Sequence, residues 1–182
     1  MTIEPPTTNR DEADQRERYL DMLIAKDEIR VVINDLARGT DRLDRDLMAS
    51  CYWPDGYDDH NSFRGNGDDF ADWVLSALSH FASTHHFLGQ CRIEVEGDVA
   101  HCETYCDAHH ISGPDPDGKV IDMAMGLRYV DRFERREGTW KIKMRVCAFD
   151  WAYYIDADRS WAFGDDFCIG ARDKSDITYT RF

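Results

Sequence analysis

The apolar positions of the chain change their period several times. From Asp11 a polar, helical stretch carries Tyr19, Leu20, Met22, Leu23 and Ile24. A second set, Ile29, Val32, Ile33, Leu36 and Ala37, recurs at i, i+3, i+4 and i+7, the spacing of one buried helix face. Gly39 is expected to close that helix, because glycine tolerates left-handed cap geometry. A short helix from Asp44 to Cys51 should follow, ended by the turn chemistry of Pro54-Asp55-Gly56. Tyr57 to Phe63 reads as extended. Asp68 to Phe81 then returns to helical spacing through Phe70, Trp73, Val74, Leu75, Leu78 and Phe81.

From Thr84 onward the pattern is that of strands, at 84–95, 98–111, 119–134 and 139–152. Turns are expected at Glu96-Gly97-Asp98, Gly113-Pro114-Asp115 and Glu137-Gly138. Long strands joined by tight turns imply a strongly curved antiparallel meander. Helices first and strands last make an α+β order, with the helices covering one face of the sheet. One domain over residues 11–152 is expected, preceded by a flexible lead-in over 1–10. The segment 153–182 is rich in Asp, Ser and aromatic residues. No period places it, so it is expected to pack on the domain or cap it.

Composition narrows the partners. The 36 acidic against 22 basic residues give a formal charge of −14. That sign repels phosphate backbones, so nucleic acid and anionic membrane surfaces are poor partners, and a small molecule is the expected one. No apolar run approaches the roughly 20 residues that cross a bilayer, and Met1 to Arg18 does not resemble a signal peptide. A cytoplasmic location is therefore expected. Cys51, Cys91, Cys102, Cys106, Cys147 and Cys168 are scattered through mostly apolar stretches with no CxxC pair, so reduced core thiols are expected rather than disulfides or a zinc site.

All seven histidines fall between His60 and His110. Imidazole is the side chain best suited to proton transfer near neutral pH. Two adjacent pairs, His85-His86 and His109-His110, lie on strands, where neighbours point to opposite faces, so one of each pair should face inward. Taken singly, each is more simply a core or solvated histidine. His101, His109 and His110 with Asp107 show no recognised metal-ligand spacing. Asp58 and His60 share one strand face and Tyr57 and Asp59 the other. If the first pair faces inward, it supplies polar groups to an apolar pocket. Asp41 stands just past the expected helix end, where it could cap the next helix. Arg145 interrupts the apolar alternation of the last strand, and a buried arginine requires a carboxylate or an anionic ligand.

Several stretches together resemble the SnoaL-like branch of the nuclear transport factor 2 superfamily, from about Met22 to Trp151. They are Ile29-x-x-Val-Ile-x-x-Leu-Ala-Arg-Gly-Thr-Asp41, Leu47-x-x-x-Cys-Tyr-Trp-Pro-Asp55, Thr84-His-His86 with Arg92-Ile-Glu, Glu103-Thr-Tyr105, and the run from Arg128 to Ile142 that contains Trp140. The resemblance implies a cone of curved antiparallel sheet plugged by helices, with a pocket in its mouth. Enzymes of this superfamily, among them bile acid 7α-dehydratase, scytalone dehydratase and hexachlorocyclohexane dehydrochlorinase, use a histidine–aspartate dyad without a cofactor. By position Asp41 and His86 match that dyad, Arg145 a pocket arginine, and His109 a further polar pocket residue. Five residues before the dyad aspartate those enzymes carry tyrosine or lysine. Here the position is Leu36, so an acid role must move to Tyr57, His60, Tyr105 or His109, or be absent. The resemblance thus implies a cofactor-free lyase of dehydratase or related elimination type, acting on a small apolar, aromatic or steroid-like compound. His86 would be its base, Asp41 the orienting partner and Arg145 a stabiliser of negative charge, with Tyr57, Asp58, His60, Tyr105 and His109 at the substrate. An isomerase with the same base, or a non-catalytic binding or assembly subunit like the small subunit of a ring-hydroxylating dioxygenase, would share these features. A homodimer or homotrimer is expected.

Overall fold

The computed structural model describes residues 9–157 and 163–180. The lead-in over residues 1–8 lies outside them, whereas Asn9 and Arg10 already belong to the first helix. That helix, α1, runs unbroken over Asn9–Arg42, joining the two apolar sets that the sequence separates. Only the second set is used as a core face: Ile29, Ile33 and Leu36 are buried, whereas Tyr19, Leu20, Leu23 and Ile24 remain exposed.

Gly39 does not end α1. A Cβ there would lie 2.8 Å from Met48 Cγ, so the glycine serves the close crossing of helix α2, Arg45–Ser50. The helix stops instead at Leu43, which takes φ 50°. The Leu43 N–H bonds the Thr40 carbonyl at 3.4 Å and the Asp44 N–H the Gly39 carbonyl at 2.8 Å. This is the paired-bond arrangement of a Schellman cap, with leucine at the position glycine usually takes. Asp44 then accepts from the Leu47 N–H and caps α2.

Pro54-Asp55-Gly56 also departs from expectation. These residues lie inside strand β1, Tyr52–Asp59, at an irregularity in its pairing. A Cβ on Gly56 would meet the Ile142 carbonyl oxygen at 2.9 Å, so the glycine allows two backbones to approach. A two-residue strand β2, Arg64–Gly65, and helix α3, Gly67–Leu78, follow. The four long strands are β3 Phe81–Glu96, β4 Val99–Ser112, β5 Ile121–Arg136 and β6 Thr139–Asp156. The strand order is β2-β1-β6-β5-β4-β3. β3 to β6 form the antiparallel meander, but β1 joins β6 in parallel, so the curved sheet is mixed. A short helix, α4, Ile177–Thr180, closes the described chain.

The helices cover the inner sheet face as the α+β order predicts. Ile29, Ile33, Met48, Phe70 and Val74 pack with Phe133, Trp140 and Ile142 of the sheet. Burying a side chain of this size contributes about 1.5–3 kcal/mol. No helix among the described residues is long and apolar enough to cross a membrane.

Candidate active site

Between α1, α3 and the inner sheet face lies a cavity of about 490 Å³. That volume lies within the range of small-molecule sites. Its walls are mainly apolar, with Leu36, Phe70, Trp73, Phe81, Leu127 and Tyr129 prominent. Five basic side chains interrupt them: His60, His80, His86, His110 and Arg145.

His86 sits on β3 opposite the C-terminal turn of α1. Its ring Nδ1 lies 2.7 Å from Asp41 Oδ1, and its backbone N–H donates to Asp41 Oδ2 at 3.1 Å. Thr84 Oγ1 donates to Asp41 Oδ1 at 2.9 Å. A carboxylate only accepts, so Nδ1 carries the proton and the Nε2 lone pair is the free one. Burial pushes the Asp41 carboxyl up. The hydrogen bond and charge of His86, its backbone N–H and Thr84 outweigh that and hold the group below its ordinary value of 3.8.

His110 reaches the same cavity from β4. Its ring lies edge-on to that of His86 with centroids 5.4 Å apart. Nδ1 is 3.2 Å from the Met123 carbonyl, which only accepts, so Nδ1–H is the donor and Nε2 an acceptor. Burial first, and repulsion from His86 second, push its pKa down to about 4, so the ring is neutral at pH 7.

A second histidine–aspartate pair stands at another wall. Asp58, fully buried on β1, bonds His60 Nδ1 through Oδ1 and accepts the Tyr52 hydroxyl on Oδ2 at 2.5 Å. Burial, then the Asp58 charge, keep Tyr52 protonated. The His60 ring stacks on Phe70 at 4.8 Å between centroids. Arg145 is buried too, and its carboxylate is Asp131, directly across the β5–β6 ladder. Nε and Nη2 donate to the two oxygens at 2.7 Å each, and the guanidinium lies 4.0 Å over Tyr129. The charge of Arg145 is thus already balanced, with Nη1 the nitrogen that Asp131 does not engage.

The other expected site residues are placed elsewhere. Tyr57 and Tyr105 are exposed and do not line the cavity. His109 is on the outer sheet face, its Nδ1 2.6 Å from Asp122 Oδ2. The reason is the strand pleat: Ala100, Cys102, Thr104, Cys106, Ala108 and His110 share the inner parity of β4, so His109 must face outward. That parity was open to reading in the sequence, where the odd positions His101, Glu103, Tyr105 and Asp107 are the polar set. Leu36 is buried and lines the cavity as an apolar surface. Sequence reasoning missed Thr84, His110, Asp131 and Tyr52. It also missed Arg172, whose guanidinium donates to the Asp41 backbone carbonyl and to Thr84 Oγ1 at 3.2 Å each.

The arrangement provides one oriented imidazole lone pair beside a neutral imidazole acceptor in a largely apolar chamber. It also supplies a second carboxylate-bonded imidazole. Such a chamber can remove a proton from carbon or oxygen and return one elsewhere. Among the described residues no group of three or more His, Cys, Asp or Glu is placed to hold a metal ion.

Known proteins with this architecture include LinA, with a TM-score of 0.64 and 19% identity, covering 80% of this chain and 97% of that one. A LinA-type3 hexachlorocyclohexane dehydrochlorinase from Novosphingobium barchaimii has a TM-score of 0.63 and 19% identity, covering 80% and 98%. A candidate scytalone dehydratase from Novosphingobium aromaticivorans has a TM-score of 0.63 and 18% identity, covering 78% and 97%. In sequence, an uncharacterized protein of Mycobacterium tuberculosis is 26% identical over 122 residues, 65% of this chain and 81% of that protein. The SnoaL-like domain matches residues 21–146, and the chain belongs to that family.

Proposed function

We propose that the protein is a cofactor-independent lyase of elimination type, acting on a small, mainly apolar ring compound, with His86 as general base and Asp41 as its orienting partner. The observation that carries this reading is the His86–Asp41 contact of 2.7 Å at the wall of an apolar cavity. The carboxylate fixes the tautomer and favours the imidazolium formed on proton abstraction. Structural neighbours named for hexachlorocyclohexane and scytalone point to a six-membered or fused ring as the substrate class. Aromatic walls at Phe70, Trp73, Phe81 and Tyr129 suit such a ring. Of the four candidate acids, His60 alone lines the cavity, so it is assigned the proton that the leaving group takes. Arg145, balanced by Asp131, orients substrate through Nη1 and adds little net positive charge. A neutral substrate fits better than a carboxylate, because Asp41, Asp58 and Asp131 stand around the chamber against two guanidiniums, those of Arg145 and Arg172.

The test is a screen of chlorinated cyclohexanes and hydroxylated bicyclic ketones for release of chloride or water, followed by His86→Gln and Asp41→Asn. Each substitution is expected to lower kcat/KM by about 10²–10⁴-fold. Turnover at the wild-type rate in both variants would end the proposal. An isomerase using the same base would give a rearranged product with neither chloride nor water released.

A further inference from the structure

The segment after β6 contributes a side chain to the back of the dyad, although it lies beyond the residues that match the family. Asp41 is the penultimate residue of α1, so its carbonyl is one of the last four that the helix leaves without an internal partner. Arg172 Nε donates to that carbonyl at 3.2 Å. Nη1 donates to the carbonyls of Leu78 and Phe81, both at 2.8 Å, where α3 hands over to β3. Nη2 donates to Thr84 Oγ1 at 3.2 Å. That oxygen accepts from the guanidinium, so its own proton is directed to Asp41 Oδ1 at 2.9 Å. One planar group therefore ties together the three elements that carry or flank the pair.

We propose that Arg172 is a positioning residue that holds Asp41 and, through Thr84, the tautomer of His86, a role that rests on reading His86–Asp41 as the general base. The loop that delivers it is anchored independently. Asp176 accepts from the Ala171 N–H at 2.9 Å and pairs with Arg42 at 3.3 Å. Tyr179 donates to Asp44 at 3.0 Å, and Lys174 bonds the same carboxylate. Lysine cannot replace the arginine, because four acceptors shared among three nitrogens need a fork rather than a point charge. Asp41 on α1 and His110 on β4 adjoin His86, Arg172 reaches it through Asp41 and Thr84, and His60, His80 and Arg145 share its cavity. Asp35, Arg38, Arg42 and His85 line the outer groove behind the pair.

The experiment is NMR of protein carrying ¹⁵N-labelled histidine, as wild type and as Arg172→Ala, Arg172→Lys, Tyr179→Phe and Asp41→Asn, with Tm measured for each. It reads the ring tautomer of His86 and the solvent exchange of its Nδ1–H. Arg172→Ala and Arg172→Lys are expected to speed that exchange about tenfold, as suits loss of the Thr84 contact, the one of its four hydrogen bonds that leads on to the Asp41 carboxylate. Tyr179→Phe, which loosens the same segment at Asp44, is expected to leave it unchanged. Wild-type exchange and tautomer in both Arg172 variants would overturn the proposal. So would Tyr179→Phe matching them, because the effect would then belong to the segment as a whole. A Nδ1–H that survives Asp41→Asn unaltered would instead defeat the reading of the pair itself, whatever the Arg172 variants do.

Discussion

His110 should make the protein sensitive to mild acid, and the size of the effect follows from its surroundings. Burial and the neighbouring His86 push its pKa from 6.5 down to about 4. The folded state therefore refuses a proton that the unfolded chain accepts between those values. In that interval the unfolded state binds more protons, so stability rises with pH. The contribution is fully present above pH 6.5, falls as the pH drops towards about 4, and falls no further below that. Across the whole interval it amounts to about 3 kcal/mol, a large part of the stability of an ordinary domain. His110→Asn removes the titration but keeps an N–H able to reach the Met123 carbonyl. Urea unfolding at pH 7.5 and 4.5, at one protein concentration, should show the wild type losing about 2.5 kcal/mol more than the variant. Packing lost with the ring is the same at both pH values and cancels in that comparison. Asp41 does not interfere, because its carboxyl is held below 3.8 and its contribution is lost only as the pH falls beneath that value. Equal losses in the two proteins would show that His110 takes up its proton in the folded state as readily as in the unfolded one, and the argument from burial would fail.

Substitutions at two further places test the packing of the buried core. Asp131→Asn leaves the Arg145 charge buried without its full partner and should cost about 3–5 kcal/mol, whereas Arg145→Met with Asp131→Leu together should recover most of that in urea unfolding. Gly67→Ala would place a Cβ 2.4 Å from Tyr52 Cβ, and Tyr52 is buried and tied to Asp58. A loss of about 1–3 kcal/mol and a lower Tm are expected, with the His60 ring signals shifting in NMR as the Tyr52–Asp58 contact is displaced.

What the sequence made legible follows from which interactions are periodic. The helical spacing of Ile29, Ile33 and Leu36 and the alternation from Thr84 onward report burial of whole faces, so the α+β order could be read directly. The same alternation held the information that separates His110 from His109, because Cys102, Thr104, Cys106 and Ala108 mark the inner parity. Matching residues by resemblance instead of by parity selected the wrong neighbour. Gly39 shows a different limit. A glycine near a helix end can mean a left-handed cap or a close crossing, and only the position of Met48 decides between them. Once the crossing takes the glycine, the left-handed turn falls to Leu43, where nothing in local propensity would place it.

The pairing of charges is less legible still, for a physical reason. Arg145 announced that it needed a carboxylate, yet Asp131 is identified only by the register of β5 on β6, which a shift of one residue would turn to the other face. Arg172 is the extreme case, since its acceptors are four atoms spread from residue 41 to residue 84 and three of them are backbone carbonyls. A backbone carbonyl carries no residue identity, so no pattern of side chains can point to it. Irregular segments that close a candidate site through main-chain acceptors therefore stay invisible to sequence patterns, even where they bond one of its residues as directly as Arg172 bonds Asp41.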